Sequence, residues 1–194
     1  MTLEALVEAL TLKSLPRAGW VRRGIRSPES VAGHSYGVAF LALCLLPSEL
    51  DQARALRFAI LHDLPEVRTG DLTPHDRVSP SQKHASEHHA MKELAEQLPR
   101  GPAHYADWTA YEAQACPESR FIKQLDRLDM ALQALIYART HQVDTSEFVR
   151  SAMAIIDHPA LRPLVEQALT EIERAQDPPS QPPSKKPEPS KRKP

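Results

Sequence analysis

Apolar residues recur every three or four positions along most of this chain, which is the spacing of one face of an α-helix. Only 6 of the 194 residues are glycine, and alanine and leucine are abundant, so helices are favoured over strands. The pattern predicts an all-α protein with helices over residues 3–12, 31–46, 51–62, 81–98, 108–115, 118–139, 146–156 and 161–175.

Two segments between these helices are predicted to be irregular. Residues 15–26 contain one proline and two glycines, and residues 64–78 contain two prolines and a Gly-Asp pair. The first segment is predicted to be a loop and the second a loop or a broken helix. Ser27, which precedes Pro28, is a candidate N-cap for the helix 31–46. That helix is apolar along its length and is expected to be buried.

Length and composition fit one globular domain followed by a polar tail. With 194 residues, of which 41% are hydrophobic and 25% charged, the chain is long enough for one core and too short for two of ordinary size. Residues 178–194 contain seven prolines among serines and lysines, so they bury too little apolar surface to offset the entropy lost on ordering. We expect a domain of about seven or more helices over residues 1–177 and a disordered tail over residues 178–194.

Charge and cysteine usage narrow the possible functions. A formal net charge of -1 does not favour a nucleic-acid partner, and the basic tail is expected to be solvated. Cys44 and Cys116 form neither a disulfide framework nor a zinc-finger spacing, and Cys44 is expected in the core. Glu4 and Glu8 make the N-terminus unlike a signal peptide, and the longest apolar stretch, 38–46, is too short to cross a bilayer. These features predict a cytoplasmic protein without a membrane segment.

Histidines and aspartates stand at three places where apolar helices would bury them. His34 lies near the start of the second predicted helix, His62 and Asp63 close the third, and Asp126 lies inside the sixth. Carboxylates are almost never fully buried unless they are paired. Neighbours on a helix point about 100° apart, so His62 and Asp63 can converge on one point only near the helix end. Asp129, at i+3 from Asp126, could share that face, but a solvated or ion-paired side chain is the favoured interpretation.

Each of these residues also has an interpretation without a metal. His62 could be a helix C-cap, and His34 could be a core histidine satisfied by a hydrogen bond. Taken together, two imidazoles and two carboxylates form a mixed ligand set that suits one divalent cation of manganese, iron, cobalt, zinc or magnesium. Four protein ligands leave octahedral positions for water and a substrate oxygen, and a bound metal makes water a nucleophile near neutral pH.

These residues and the sequence around them resemble a known enzyme family. The order of His34, His62-Asp63 and Asp126 is similar to that of the HD-domain phosphohydrolases. A closer resemblance, to the HD-domain 5′-deoxynucleotidases, is carried by Trp20, PESV at 28–31, HDLPEVRTGDL at 62–72 and FIKQLD at 121–126. It covers residues 3–139, and HDxxE followed by TGD, together with KQxD, is more specific than the ligand order. The resemblance implies an HD-domain helical bundle around an internal metal site.

The resemblance also implies roles for single residues. The metal positions fall on His34, His62, Asp63 and Asp126. Glu66 and Asp71 take the positions of acidic active-site residues outside the metal shell, which orient the attacking water or protonate the leaving 5′-oxygen. Without the match, both could be surface acids, because loops are polar.

Substrate-binding residues are implied less directly. Trp20 matches a tryptophan that contacts the sugar; without the match it would be a packing residue. Some members of the family place an arginine directly before this tryptophan, where the present chain has Gly19. Arg17, three residues before Trp20, is the favoured phosphate-binding residue, since arginine suits two-pronged phosphate contacts. The rival cations are Arg22, Arg23 and Lys123.

The function implied by the resemblance is hydrolysis of deoxyribonucleoside 5′-monophosphates to deoxyribonucleoside and phosphate, by a homodimer. Two alternatives stay open. One is another HD-domain phosphohydrolase that acts on nucleoside triphosphates or cyclic dinucleotides, although triphosphate cleavage would call for a larger basic cluster. The other is a catalytically silent metal-binding module that engages a partner through its tail, against which Glu66 and Asp71 argue.

Overall fold

The computed structural model describes residues 2–176, and the regular secondary structure within that range is helical. A 3-10 turn, Thr11–Lys13, extends the first helix, and the single β pairing in this range is an isolated bridge between Pro16 and Ser30. The all-α prediction is confirmed, while the predicted tail, 178–194, lies outside the described residues. The helices are α1 Leu3–Leu10, α2 Ala18–Arg22, α3 Val31–Leu45, α4 Gln52–Leu61, α5 Glu66–Thr69, α6 Pro80–Gln97, α7 Gly101–Glu112, α8 Pro117–His141, α9 Ser146–Met153 and α10 Arg162–Gln176.

Helix α3 begins at a different cap from the predicted one. The Ser30 side chain accepts a hydrogen bond from the backbone N–H of Gly33, whereas Ser27 has a φ of 54° and caps nothing. Ser30 is also held by the bridge to Pro16. The prediction of Ser27 was wrong because Pro28 is compatible with the extended turn that precedes the helix as well as with a first helical turn.

Two short segments are more helical than their composition predicts. Helix α2 forms inside the predicted loop 15–26, where the Arg17 carbonyl accepts hydrogen bonds from the N–H groups of Trp20 and Val21. Helix α7 begins at Gly101, seven residues before its predicted start. A Cβ at Gly101 would come within 1.6 Å of the Ala95 carbonyl oxygen, so this close approach of α7 to α6 requires glycine.

Helix α8 is the central element of the bundle and packs against α3, α4, α7, α9 and α10. Its buried residues, which include Ile122, Leu125 and Leu128, join the largest hydrophobic cluster. A second cluster contains Leu61, Leu64 and Trp108 and lies beneath the turn that follows α4. The Trp108 indole N–H donates to the carbonyl oxygen of His62 at 3.1 Å. The end of α4 is therefore held by packing and by a hydrogen bond.

One side of α3 is exposed, contrary to the prediction of a buried helix. Tyr36 is 72% exposed, Phe40 52% and Leu43 56%, and the rings of Tyr36 and Phe40 stack with their centroids 6.4 Å apart. Cys44 is exposed rather than in the core. Because α3 is apolar all round, its sequence could not indicate which side faces the bundle. In the described part of the chain, no helix has the length and apolarity needed to span a bilayer.

Candidate active site

A cavity of about 940 Å³ opens between α2, the segment that follows α4, and helices α8 and α9. One part of its wall is formed by the charged side chains of the site residues, and another part is apolar and is formed by Trp20, Met130 and Phe148. Six of the eight site residues predicted from the sequence line this cavity: Arg17, Trp20, Asp63, Glu66, Asp71 and Asp126.

The other two, His34 and His62, are buried beside this cavity and next to Asp63. Their Nε2 atoms lie 3.3 Å apart, and Asp63 Oδ2 lies 3.6 Å from the His34 Nε2 and 3.3 Å from the His62 Nε2. Each residue offers one ligand atom, and these atoms all lie within 4.8 Å of one another. His62 is the C-cap of α4 and Asp63 follows it, so the end of the helix is where the two side chains converge.

Asp126 adjoins this group from α8. Its Oδ1 lies 3.3 Å from the His34 Nε2, and its Oδ2 accepts a hydrogen bond from Lys123 at 3.0 Å. Burial alone would raise the pKa of Asp126, but the charge of Lys123 and the contact with His34 hold it well below its usual range. Asp126 is therefore ionised although it is only 6% exposed.

The donor set of this cluster fits a cation. His62 Nδ1 lies 2.9 Å from the carbonyl oxygen of Ala59, which can only accept, so Nδ1 carries the proton and Nε2 of the neutral ring is left with a lone pair. That lone pair faces the His34 Nε2 and a carboxylate oxygen of Asp63. Several electron-pair donors so close together repel one another, and a cation between them would relieve that repulsion. The two imidazoles and two carboxylates are suited to a divalent metal of the first transition series or to magnesium.

Glu66 is a buried carboxyl group without a partner for one of its oxygens. It is 4% exposed, and among residues 2–176 its Oε2 has no hydrogen-bond partner. Burial, together with repulsion by the charges of Asp63 and Asp71, raises the pKa of Glu66 to about 10. This shift favours the protonated form of Glu66 at neutral pH, and the residue lines the cavity.

Arg17 and Asp71 form an ionic pair at the edge of the metal cluster. The Arg17 Nη1 lies 3.4 Å from oxygens of both Asp63 and Asp71, and Asp71 Oδ2 accepts a hydrogen bond from the backbone of Ala18 at 2.8 Å. Burial would lower the pKa of Arg17, but the charges of Asp63 and Asp71 raise it. Arg17 is a fixed cation with its guanidinium directed at the acidic side of the cavity.

The rival cations are engaged elsewhere, although they also line the cavity. Arg22 pairs with Asp76, and Arg23 donates to the backbone carbonyl of Asp144. Lys123 is held by Asp126.

Trp20 lies in the wall of the cavity and is only 2% exposed. Its indole N–H donates to Glu29 at 2.8 Å. One face of the indole packs on Phe148, with ring centroids 4.2 Å apart, and its edge meets Tyr137 at 5.1 Å. Trp20 therefore combines a packing role with a place in the cavity wall.

The sequence pattern did not indicate Met130, Arg127 or Phe148, which line the cavity. Asp129 shares the face of Asp126, which was the less favoured of the two interpretations, and its Oδ2 lies 2.7 Å from the His34 Nδ1. Helical spacing offered a signal for Met130, because it lies four residues after Asp126 on α8. No signal in the sequence pointed to Phe148, because α9 reaches the cavity only through the tertiary packing of α8 and α9.

Comparisons with known proteins show the family to which this chain belongs. The family model described as "HD domain" matches residues 9–163. The chain is 36% identical over 164 residues to the 5′-deoxynucleotidase HDDC2 of Mus musculus, covering 82% of each chain. It is 33% identical over 171 residues to the 5′-deoxynucleotidase hdd1 of Schizosaccharomyces pombe, covering 84% of this chain and 86% of the relative.

Solved structures show the same fold. The PH0347 protein from Pyrococcus horikoshii superimposes with a TM-score of 0.73 at 31% identity, covering 90% of this chain and 99% of the other. A predicted metal-dependent phosphohydrolase from Magnetospirillum magnetotacticum gives a TM-score of 0.70 at 26% identity, covering 89% and 91%. The chain therefore belongs to the HD-domain family, in the branch that contains these 5′-deoxynucleotidases.

Proposed function

We propose that this protein is a metal-dependent phosphomonoesterase that hydrolyses deoxyribonucleoside 5′-monophosphates to deoxyribonucleoside and phosphate. The observation that carries the proposal is the convergence of His34, His62 and Asp63 beside a cavity that Glu66 also lines. The substrate class is that named in the relatives, which are 5′-deoxynucleotidases.

His34, His62, Asp63 and Asp126 would hold one divalent cation, of manganese, cobalt, iron, zinc or magnesium. Such a cation, when bound, neutralises charge on the phosphoryl group and lowers the pKa of water. The site residues supply this binding without large rearrangement, because the imidazoles are buried and His62 is oriented by the Ala59 carbonyl.

Glu66 is the proposed proton donor to the leaving 5′-oxygen. When water attacks phosphorus and the P–O5′ bond breaks, the 5′-oxygen of the nucleoside leaves as an alkoxide unless a proton is delivered to it, and a positioned acid contributes about 10²–10⁴-fold to such a step. Glu66 has the protonation state that this role requires and an oxygen that is not engaged by another described residue. Its location beside Asp63 keeps the acid close to the cluster that binds the phosphoryl group.

Arg17 is the proposed phosphate-binding residue, and Asp71 is the acidic residue that positions it. Asp71 is itself anchored by the Ala18 N–H, so the guanidinium is fixed from both sides. A fixed cation stabilises the charge that spreads over the phosphoryl oxygens during in-line displacement.

Trp20, Phe148 and Met130 are the proposed sugar-binding surface. An apolar surface at the 2′-carbon leaves an added hydroxyl desolvated and unpaired, which costs about 1–3 kcal/mol. This penalty would favour deoxyribonucleotides over ribonucleotides. The three side chains line the same cavity as the acidic cluster.

The deciding experiment is a phosphate-release assay on the purified full chain. A panel of deoxyribonucleoside and ribonucleoside 5′-monophosphates, triphosphates and cyclic dinucleotides is tested against Mn²⁺, Co²⁺, Fe²⁺, Zn²⁺ and Mg²⁺. We expect release from deoxyribonucleoside 5′-monophosphates with at least one metal. Equal kcat/KM for matched deoxy and ribo substrates, or release from triphosphates alone, would overturn the assignment.

A homodimer in the cytoplasm is the proposed assembly and location. The exposed face of α3, formed by Tyr36, Phe40 and Leu43, is apolar, and α3 carries no acidic or basic side chain apart from the buried His34. Contiguous apolar surface of this kind marks an interaction site, and a two-fold axis would cover it with the same face of a second copy. The cysteines are free in the described structure, which suits a reducing compartment.

Residues 1–177 are proposed to form the catalytic domain, with residues 178–194 as a tail that takes no part in it. Helix α10 ends at Gln176, whose side chain donates to Asp144 at 2.8 Å. A chain truncated after Gln176 should therefore keep the turnover of the full chain.

A further inference from the structure

We propose that Asp129 is a positioning residue that holds His34 in the orientation and tautomer needed to bind the cation. The proposal deepens the metal-binding part of the function proposed above and rests on it. Asp129 is not among the four ligands, and its role is to act on the metal through His34.

The imidazole of His34 lies between two carboxylates of helix α8. Asp126 and Asp129 are spaced i, i+3 on α8, so both lie on one face. Asp126 Oδ1 lies 3.3 Å from the His34 Nε2, and Asp129 Oδ2 lies 2.7 Å from the His34 Nδ1. His34 is 1% exposed, so its ring is shielded from bulk solvent. Each ring nitrogen therefore faces a carboxylate of α8, and the one at Nδ1 is close enough for a hydrogen bond.

The chemistry of the contact determines which nitrogen binds the metal. A carboxylate can only accept a hydrogen bond, so the proton of a neutral His34 resides on Nδ1 and the lone pair on Nε2. The Nε2 atom is the one that faces His62, Asp63 and Asp126. A carboxylate on the far nitrogen also increases the basicity of the ligating nitrogen. Asp129 therefore both orients the ring and strengthens its bond to a cation.

The helix opposite Asp129 has room for this carboxylate only because residue 37 is glycine. A Cβ on Gly37 would lie 2.0 Å from Asp129 Oδ1 and 2.8 Å from its Cγ. The Asp129 side chain could rotate away from such a methyl group, but it would then leave His34. Gly37 lies one turn after His34 on α3, so both residues face α8. His34 contacts the Asp129 carboxylate, and Gly37 leaves the space that this carboxylate occupies.

Glu29 is the other acid near this side of His34 and is committed elsewhere. Glu29, His34 and Asp129 offer ligand atoms within 4.8 Å of one another. Glu29 Oε1, however, accepts the indole N–H of Trp20 at 2.8 Å. Asp129 is therefore left as the hydrogen-bond acceptor for the His34 Nδ1–H.

The experiment compares Asp129→Ala and Asp129→Asn with the wild-type chain and with Glu166→Gln. Glu166 is a matched control, because it is a carboxylate in an exposed i, i+4 ion pair with Arg162. The dissociation constant for Mn²⁺ is measured by competition with a chelator, and folding is checked by circular dichroism. We expect Asp129→Ala to bind Mn²⁺ about 10- to 100-fold more weakly. Asp129→Asn should retain part of the affinity, since the amide oxygen still accepts from Nδ1–H, and Glu166→Gln should match the wild type.

Three further measurements separate positioning from a general structural role. In the Zn²⁺-loaded protein, a long-range ¹H–¹⁵N spectrum should show His34 protonated at Nδ1, and that signal should weaken or be lost in Asp129→Ala. At saturating Mn²⁺, the KM for nucleotide should stay within about twofold of the wild-type value, because Asp129 affects the cation and not substrate contacts. Gly37→Ala should weaken Mn²⁺ binding in the wild-type background and have little further effect in Asp129→Ala.

Wild-type Mn²⁺ affinity in a folded Asp129→Ala variant would overturn the inference, as would an unchanged His34 signal in that variant. Failure of the proposed function has a different outcome, in which the wild-type chain binds Mn²⁺ tightly but releases no phosphate from any nucleotide. Asp129 would then still be the residue that positions His34.

Discussion

Burial of Glu66 beside the ionised Asp63 raises the pKa of the Glu66 carboxyl group to about 10. The two residues are three positions apart, and the Glu66 N–H donates to the Asp63 carbonyl oxygen at 3.1 Å. Burial would raise the pKa of Asp63, but its charged surroundings, which include Arg17 at 3.4 Å, lower it, so Asp63 remains ionised. Neighbouring carboxyl groups with opposite protonation states are an arrangement suited to acid–base catalysis.

Replacing Glu66 with glutamine should abolish proton donation while leaving the metal in place. We expect kcat to fall by about 10²- to 10⁴-fold, with bound metal unchanged by elemental analysis. The alkaline limb of the pH–rate profile should disappear in Glu66→Gln, since kcat of the wild type falls as pH rises and Glu66 loses its proton. Near-normal kcat in the variant would remove Glu66 from the reaction.

The same substitution should stabilise the metal-free protein above pH 5. The pKa of Glu66 is about 10 in the folded state and about 4.3 in an unfolded chain. The folded state therefore binds more protons between these values, and stability falls as pH rises through this window. Glutamine does not titrate, so the melting temperature of Glu66→Gln should exceed that of the wild type at pH 8 and match it near pH 4. If the melting temperature of Glu66→Gln exceeded that of the wild type by the same amount at both pH values, the raised pKa of Glu66 would be contradicted.

Removal of a proposed metal ligand should abolish metal binding, which Glu66→Gln should leave intact. Asp126→Ala and His62→Ala are expected to lose both metal and activity, because each leaves the remaining donors around an underbound cation. Elemental analysis after purification measures the metal, with Glu66→Gln as the variant that keeps it. Full occupancy in both alanine variants would rule out the proposed ligand set.

Trp20 should influence the choice of sugar. The wild-type kcat/KM for deoxyadenosine 5′-monophosphate should exceed that for adenosine 5′-monophosphate by about 5- to 150-fold, and Trp20→Ala should narrow this ratio. Because truncation of a buried tryptophan costs about 3–5 kcal/mol, Trp20→Phe is the milder companion variant that keeps an aromatic ring against Phe148. If both variants slow the two substrates alike, Trp20 acts only through packing.

The exposed face of α3 should control assembly. Phe40→Asp places a charge in the proposed interface, so sedimentation should show a monomer where the wild type is a dimer. Ile155→Asp is the control, since Ile155 is a 50% exposed apolar residue outside α3. A wild-type protein that sediments as a monomer, or a Phe40→Asp variant that stays dimeric, would exclude this interface.

The sequence predicted what depends on local spacing and residue type. The convergence of His62 and Asp63 followed from their place at the end of an apolar helix, and the long helix around Asp126 followed from its periodicity. The exposure of Tyr36 could not be predicted, because an apolar helix without a polar side carries no orientation signal.

Asp129 illustrates a second limit. The sequence places it one turn from Asp126, but an aspartate on a helix is usually solvated. Its contact with His34 depends on the packing of α3 against α8 and on the missing side chain at Gly37. The residue type alone does not distinguish a solvated aspartate from one that contacts a buried histidine.

The proposed ligands come from three separate segments, with His34 and His62 alone separated by 28 positions. An unfolded chain cannot bring them together, so cation binding is thermodynamically linked to folding. The free cation should stabilise the native state by about 2.7 kcal/mol at one hundred times its dissociation constant. Thermal melts recorded across a metal titration would then report affinity in the absence of any nucleotide, and chelation in the cell would expose the protein to unfolding and proteolysis as well as to loss of activity.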